Sequence, residues 1–229
     1  MFTASLTELS LAALAFTGGH FLLSSTPLRG YLAGRLGEKG FLGVFSLLSL
    51  AALAWLILSY RQAPYVEFWM PAVWSRHLSL TFMPVALVLF AGSLRRDNPT
   101  ATTGRTDGLD PNRLGIFAVT RHPMMWGTGL WAGLHLLANG DAASLILFGG
   151  ILVLALGGTV AIDRKLRRRD PLAFARLAAV TSNLPFAAVL AGRNRLGREG
   201  MLWPVAIGLA LYALLIWLHP LLFGPALIY

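Results

Sequence analysis

Apolar residues gather in six long runs, separated by short polar stretches. Five of the runs, 6–25, 41–60, 77–94, 142–162 and 201–223, approach the length of about 20 residues that carries a helix across a bilayer. The sixth, 123–138, is shorter but uncharged, and it spans only with help from its flanks or from locally thinned lipid. The pattern predicts an all-α, polytopic membrane helix bundle of about six transmembrane helices. No polar segment is long enough for a separate soluble domain, so residues 1–229 read as one membrane domain. Within it, a cytoplasmic interfacial segment over 163–200 precedes a C-terminal transmembrane helix, 201–223. The stretch 171–192 is apolar but carries Arg176, Asn183 and Pro185. It reads as an interfacial or re-entrant helix rather than a seventh span.

Charge orients the bundle. The loops after the first, third and fifth runs hold 17 of the 19 Lys and Arg residues, Arg96 and Arg105 among them. The other two, Arg61 and Arg76, flank the second loop. Basic loops stay in the cytoplasm, which puts both termini outside. The net charge of +9 is therefore a topology signal and no call for nucleic acid. Only 13% of residues are charged, against about 25% in a soluble domain. No Lys or Arg precedes Arg29, so the first run lacks the basic flank of a cleaved signal and is expected to stay as a helix.

The chain has no cysteine, which excludes disulfides, thiolate catalysis and cysteine-held metal clusters. Asp and Glu are missing from the interiors of the predicted spans, which argues against paired-carboxylate chemistry. Histidine remains. Ionisable groups within spans are costly and are functional candidates by default. His20 follows Gly18 and Gly19, small residues that let a flat group or another helix approach. His122 lies in Thr120-Arg121-His122-Pro123 at the start of the fourth run. There Arg121, His122 and free helical N–H groups could hold an anion. His135 lies thirteen residues later, about 20 Å along the axis, too far to share a metal with His122. Thr128, Trp131 and Ala132 share its helix face, and Gly129 and Gly133 form a small-xxx-small pair suited to close packing. His77 and His219, near the outer ends of their spans, read as interfacial anchors. Haem suits such a set, because the porphyrin supplies four ligands and the protein need give only one or two.

Several segments are recognisable. Gly18-Gly19-His20, Gly37-Glu38-Lys39-Gly40-Phe41, and above all Thr120-Arg121-His122-Pro123 through Leu134-His135-Leu136-Leu137-Ala138-Asn139-Gly140-Asp141 resemble the NnrU family over about residues 4–169. The resemblance implies a multi-pass protein of the bacterial inner membrane, associated with denitrification and nitric oxide or nitrite metabolism. It also implies kinship with the plant zeta-carotene isomerase, which uses haem b to isomerise a cis double bond. Carried over, its haem ligands correspond to His20 and His135, with Gly19, Arg121, His122 and Ala132 lining the cofactor, and with a hydrophobic small molecule as substrate. The isomerase has a cysteine one turn before its second histidine; Ala132 stands there in this chain. On depth alone, His77 is an alternative to His20 as partner of His135. The run 115–127 also resembles the Arg-His-Pro motif of isoprenylcysteine-type membrane methyltransferases. That implies, as an alternative, a site for S-adenosylmethionine, although only Asp163 of the expected acidic pair is present. A non-catalytic membrane factor is the third possibility.

Overall fold

The structure, a computed structural model, describes residues 5–95, 97–101 and 113–224. Arg96 and Arg105 of the second basic loop lie outside the described residues, as does residue 4. Nine helices are described: α1 (Leu6–Ser25), α2 (Pro27–Gln62), α3 (Val73–Ser93), α4 (Ile116–Val119), α5 (Pro123–Asn139), α6 (Ala142–Arg169), α7 (Pro171–Val180), α8 (Ala187–Leu190) and α9 (Leu202–Phe223). Among the described residues there is no strand, only an isolated bridge between Glu67 and Asp141.

Local chemistry sets the helix starts. Ser5, Asp141 and Asp170 cap α1, α6 and α7 by accepting from the amides of Glu8, Ser144 and Ala173 at 3.1, 2.9 and 2.9 Å. Pro27, Pro123 and Pro171 each open a helix, where a missing N–H costs nothing. Gly37, at φ 72°, breaks α2 into a short first arm and a long second one, and Arg29 pairs with Glu38 across the break at 2.9 Å. Inside α3, Pro84 has no N–H to give the Leu80 carbonyl. Tyr212 of α9 donates its hydroxyl to that carbonyl at 2.7 Å.

The long helices pack in the order α2, α1, α6, α5, α3, α9. One core cluster joins Leu9 and Ala12 of α1, Leu56 of α2, Ala132 of α5, and Ala143, Leu147 and Phe148 of α6. A second seals the other side around Leu89, Ile116 and Phe117. The outer surface stays apolar: Leu14, Leu47, Leu50, Val153 and Trp217 are each more than half exposed. Apolar exposure on so many helices suits a lipid environment. Five described helices, α1, α2, α3, α6 and α9, are long and apolar enough to cross a membrane. The chain is therefore a polytopic helical membrane protein. α5, with 17 residues, is about 26 Å long, a little short of a hydrocarbon core. It is held between α3 and α6.

Three expectations change. The basic stretch after the first run is helix rather than loop, because α2 begins at Pro27 and carries Arg29, Arg35 and Lys39. The basic stretch 164–169 is helix, not loop, because α6 runs on to Arg169, with Arg167, Arg168 and Arg169 at the end where the helix dipole favours cations. Asp163 thus belongs to a packed helix, and at 9% exposure it is a buried carboxylate where none was expected. The small-xxx-small pair does not act as a pair. A Cβ on Gly129 would only touch α6, and one on Gly133 would meet nothing within 4 Å. The close approach is at Gly127, where a Cβ would stand 2.7 Å from the Ala86 carbonyl of α3.

Candidate functional site

The signature Thr120-Arg121-His122-Pro123 forms a turn between α4 and α5 that docks on the link between α7 and α8. The amide of Arg121 donates to the Ser182 carbonyl at 2.9 Å, and that of Phe186 to the Val119 carbonyl at 2.7 Å. Thr120 donates through its hydroxyl to the Asn183 carbonyl at 2.6 Å and accepts from the His122 amide at 3.2 Å. This fixes Arg121 and His122 over the basic end of α6.

There they meet Asp163. The Arg121 guanidinium holds the carboxylate through Nε, at 2.8 Å to Oδ1, and through Nη2 to Oδ2. His122 lies 2.8 Å away through Nε2. A carboxylate paired with arginine only accepts, so Nε2 carries the proton. Burial pushes the His122 imidazole below its usual pKa, against the hydrogen bond and charge of Asp163. The neutral ring then leaves Nδ1 as a bare acceptor, buried without a partner among the described residues. The anion expected beside Arg121 and His122 is thus supplied by the chain itself. Sequence reading missed that role, because Asp163 lies 42 residues from Arg121 and was placed beyond the fifth span.

His20 and His135 lie elsewhere, in the α1–α2–α5–α6 half of the bundle. His20 sits between Phe16 and Phe45, with ring centroids at 4.6 and 5.3 Å. His135 sits between Trp131 and Phe148, at 4.7 and 4.8 Å. Each donates Nδ1–H to the carbonyl one turn back, His20 to Phe16 at 2.8 Å and His135 to Trp131 at 2.9 Å. A carbonyl cannot donate, so Nδ1 carries the proton in both rings, and an uncharged ring of this tautomer presents its lone pair on Nε2, the arrangement of a histidine able to ligate.

α6 serves as a depth scale for the two. Thr17 bonds the Gly150 carbonyl and Phe21 packs at Gly157, so His20 falls between those levels. His135 stacks on Phe148. The separation along α6 is about six residues, or about 9 Å. α1 and α5 run in opposite directions, and helical side chains lean toward their own N-terminus. The two imidazoles therefore lean toward each other. Ala132, fully buried, lies one turn from His135, and Cβ atoms on Gly18 and Gly19 would meet nothing within 4 Å. His77 is exposed on α3. Its near neighbour Ser79 turns to the Leu134 carbonyl of α5 instead, and residues two apart on a helix face away from each other. His219 of α9 packs on Phe223 at 5.0 Å.

Comparison with known proteins places the chain. The family described as NnrU protein matches residues 8–227, nearly the whole chain. The chain belongs to the NnrU family. Its match runs past 169 and through α9. Over 85 residues, 37% of the chain, it is 36% identical to a 15-cis-zeta-carotene isomerase, chloroplastic, of Zea mays. The corresponding protein of Arabidopsis thaliana is 34% identical over the same length. The matched stretch spans 23% of each of those proteins. No solved structure matches the chain.

Proposed function

We propose that this NnrU-family chain is a haem b-binding, isomerase-like membrane protein, with His20 and His135 as the ligands. The observation that carries the reading is the shared state of the two rings: Nδ1 is tied to a carbonyl, Nε2 has no hydrogen-bond partner among the described residues, and aromatic rings flank both. The donor chemistry fits, since neutral imidazole Nε2 is a common haem ligand. Bound haem would supply an iron centre able to change oxidation state within an apolar site. The chain's own residues do the rest. The Phe16 and Trp131 carbonyls fix the tautomers, while Phe45, Phe148 and Trp131 keep water from the rings. His77 is the weaker candidate ligand because it points away from α5.

The plant relatives suggest the reaction, isomerisation of a cis double bond in a long apolar polyene. Ala132 offers no thiolate, so this reading has both ligands as histidine throughout. The bacterial inner membrane and nitrogen-oxide metabolism implied by the family resemblance go with it. The test is the absorption spectrum of protein purified from cells with ample haem. A Soret band, with α and β bands on reduction, is expected in the wild type. In His135→Ala the haem should be lost or become five-coordinate, and in His219→Ala it should be retained. A wild type without haem overturns the proposal, and equal haem of unchanged coordination in His135→Ala overturns that ligand.

A further inference from the structure

At the basic end, beside the Arg121–Asp163 pair, lies a cavity of about 330 Å³ lined by Arg121, Arg193, Thr181, Ser182, Asn183 and Leu184, among others. Its wall has a one-sided hydrogen-bonding character. Thr181 spends its hydroxyl on the Leu177 carbonyl. Ser182 donates to the Leu184 carbonyl and accepts from the Ala188 amide. Asn183 donates to Thr159 and accepts from the Trp126 indole. The neutral side chains are thus occupied with backbone groups and with Thr159 and Trp126.

The two arginines are not. Arg121 uses Nε and Nη2 on Asp163, and its Nη1 has no partner among the described residues. Arg193 uses Nη1 alone, on the carbonyls of Ala178, Ala179 and Thr181 at the end of α7. Its Nε and Nη2 have no partner among the described residues. Carbonyls satisfy N–H groups but do not neutralise charge. With Arg121 balanced by Asp163, the cavity keeps the single positive charge of Arg193 and several unused N–H donors. Such a site takes a monoanion with several acceptor oxygens, as a phosphodiester has.

The rim indicates what carries that group. Leu184, which lines the cavity, is 63% exposed, and Leu190 of α8 is 85% exposed. Between them Phe186 holds a backbone conformation rare for a residue with a side chain, φ 63°, and its ring is also exposed. A pocket for a soluble ion needs no such edge, whereas an amphiphile does. We propose that this cavity binds the phosphate of an anionic phospholipid through Arg121 and Arg193, with the acyl chains lying against Leu184, Phe186 and Leu190. The site is independent of the two histidines.

The test is native mass spectrometry of the full chain in detergent, titrated separately with phosphatidylglycerol and phosphatidylcholine. Both lipids carry the phosphodiester, but the choline cation of phosphatidylcholine cancels its charge and is repelled by Arg193, so a preference for phosphatidylglycerol of about tenfold is expected in the wild type. Arg193→Gln should abolish it and Arg193→Lys should keep part of it. Because Arg193 also caps α7, Ala187→Asp is the second variant. It puts a carboxylate into the cavity wall and leaves the arginines in place, and it should remove the preference without lowering the melting temperature. Inorganic phosphate serves as competitor. If millimolar phosphate binds and phosphatidylglycerol shows no preference, the site belongs to a free ion and the lipid assignment is overturned. Equal phosphatidylglycerol binding by the wild type, Arg193→Gln and Ala187→Asp overturns the site altogether.

Discussion

Asp163 is one carboxylate serving two partners, Arg121 and His122, from inside a packed helix. Removing one member of a buried ion pair leaves the other charge uncompensated, typically at about 3–5 kcal/mol. Asp163→Asn should therefore lower the melting temperature in detergent far more than Asp97→Asn, whose carboxylate pairs with Arg95 at the exposed surface. A matching loss from both would remove Asp163 from its special place. His122 adds a pH dependence. Its folded-state pKa is lowered by burial, so its contribution to stability is complete above its ordinary value of 6.5 and lost as pH falls through the folded value. Wild type should lose stability relative to His122→Gln as pH falls below about 6.5, as followed by melting temperature over a series of pH values. The motif holding Arg121 and His122 was legible in the chain, down to its need for an anion. The identity of that anion was not, because nothing local marks a residue 42 positions away as its partner.

At the scale of elements, apolar run length locates the helices well, since each backbone polar group in lipid must be satisfied within its own segment. It fails where charge is taken for a loop. The first arm of α2 and the last turns of α6 are helical despite Arg29, Arg35 and Arg164–Arg169, because charged side chains at a helix end reach out to the interface. Spacing also reveals small residues without saying which neighbour they meet. Gly127, not Gly129 and Gly133, sets the α3–α5 distance. Gly127→Leu would drive a side chain into the α3 backbone, at a cost of about 1–3 kcal/mol or more. Gly133→Leu, with open space around it, should be near neutral. Melting temperatures of the two variants check the contrast, and equal losses would contradict the packing.

Across the whole molecule, the charged cluster and the aromatic-flanked histidines lie at different depths. Arg121, His122, Asp163 and Arg193 sit at one end with the basic residues, and His20 and His135 sit deeper, where α1, α2, α5 and α6 enclose apolar rings. The charge asymmetry predicts the orientation in the membrane. A reporter active only outside the cytoplasm should work when fused after the last residue and be silent when inserted at Gly197, and the reverse would invert the bundle. The proposed pairing of His20 with His135 comes from the family resemblance and not from spacing. The chain alone spaces His20 and His135 by 115 positions and gives His77 the better apparent depth. What favours His20 in the proposal is that along the bundle axis its side chain leans toward the level of His135, whereas His77 is exposed on α3. The decisive measurement is the electron paramagnetic resonance spectrum of the ferric protein loaded with haem. A low-spin signal is expected in wild type and in His77→Ala, and a high-spin signal in any haem kept by His20→Ala and His135→Ala; a low-spin signal unchanged in His20→Ala rules out His20 as a ligand.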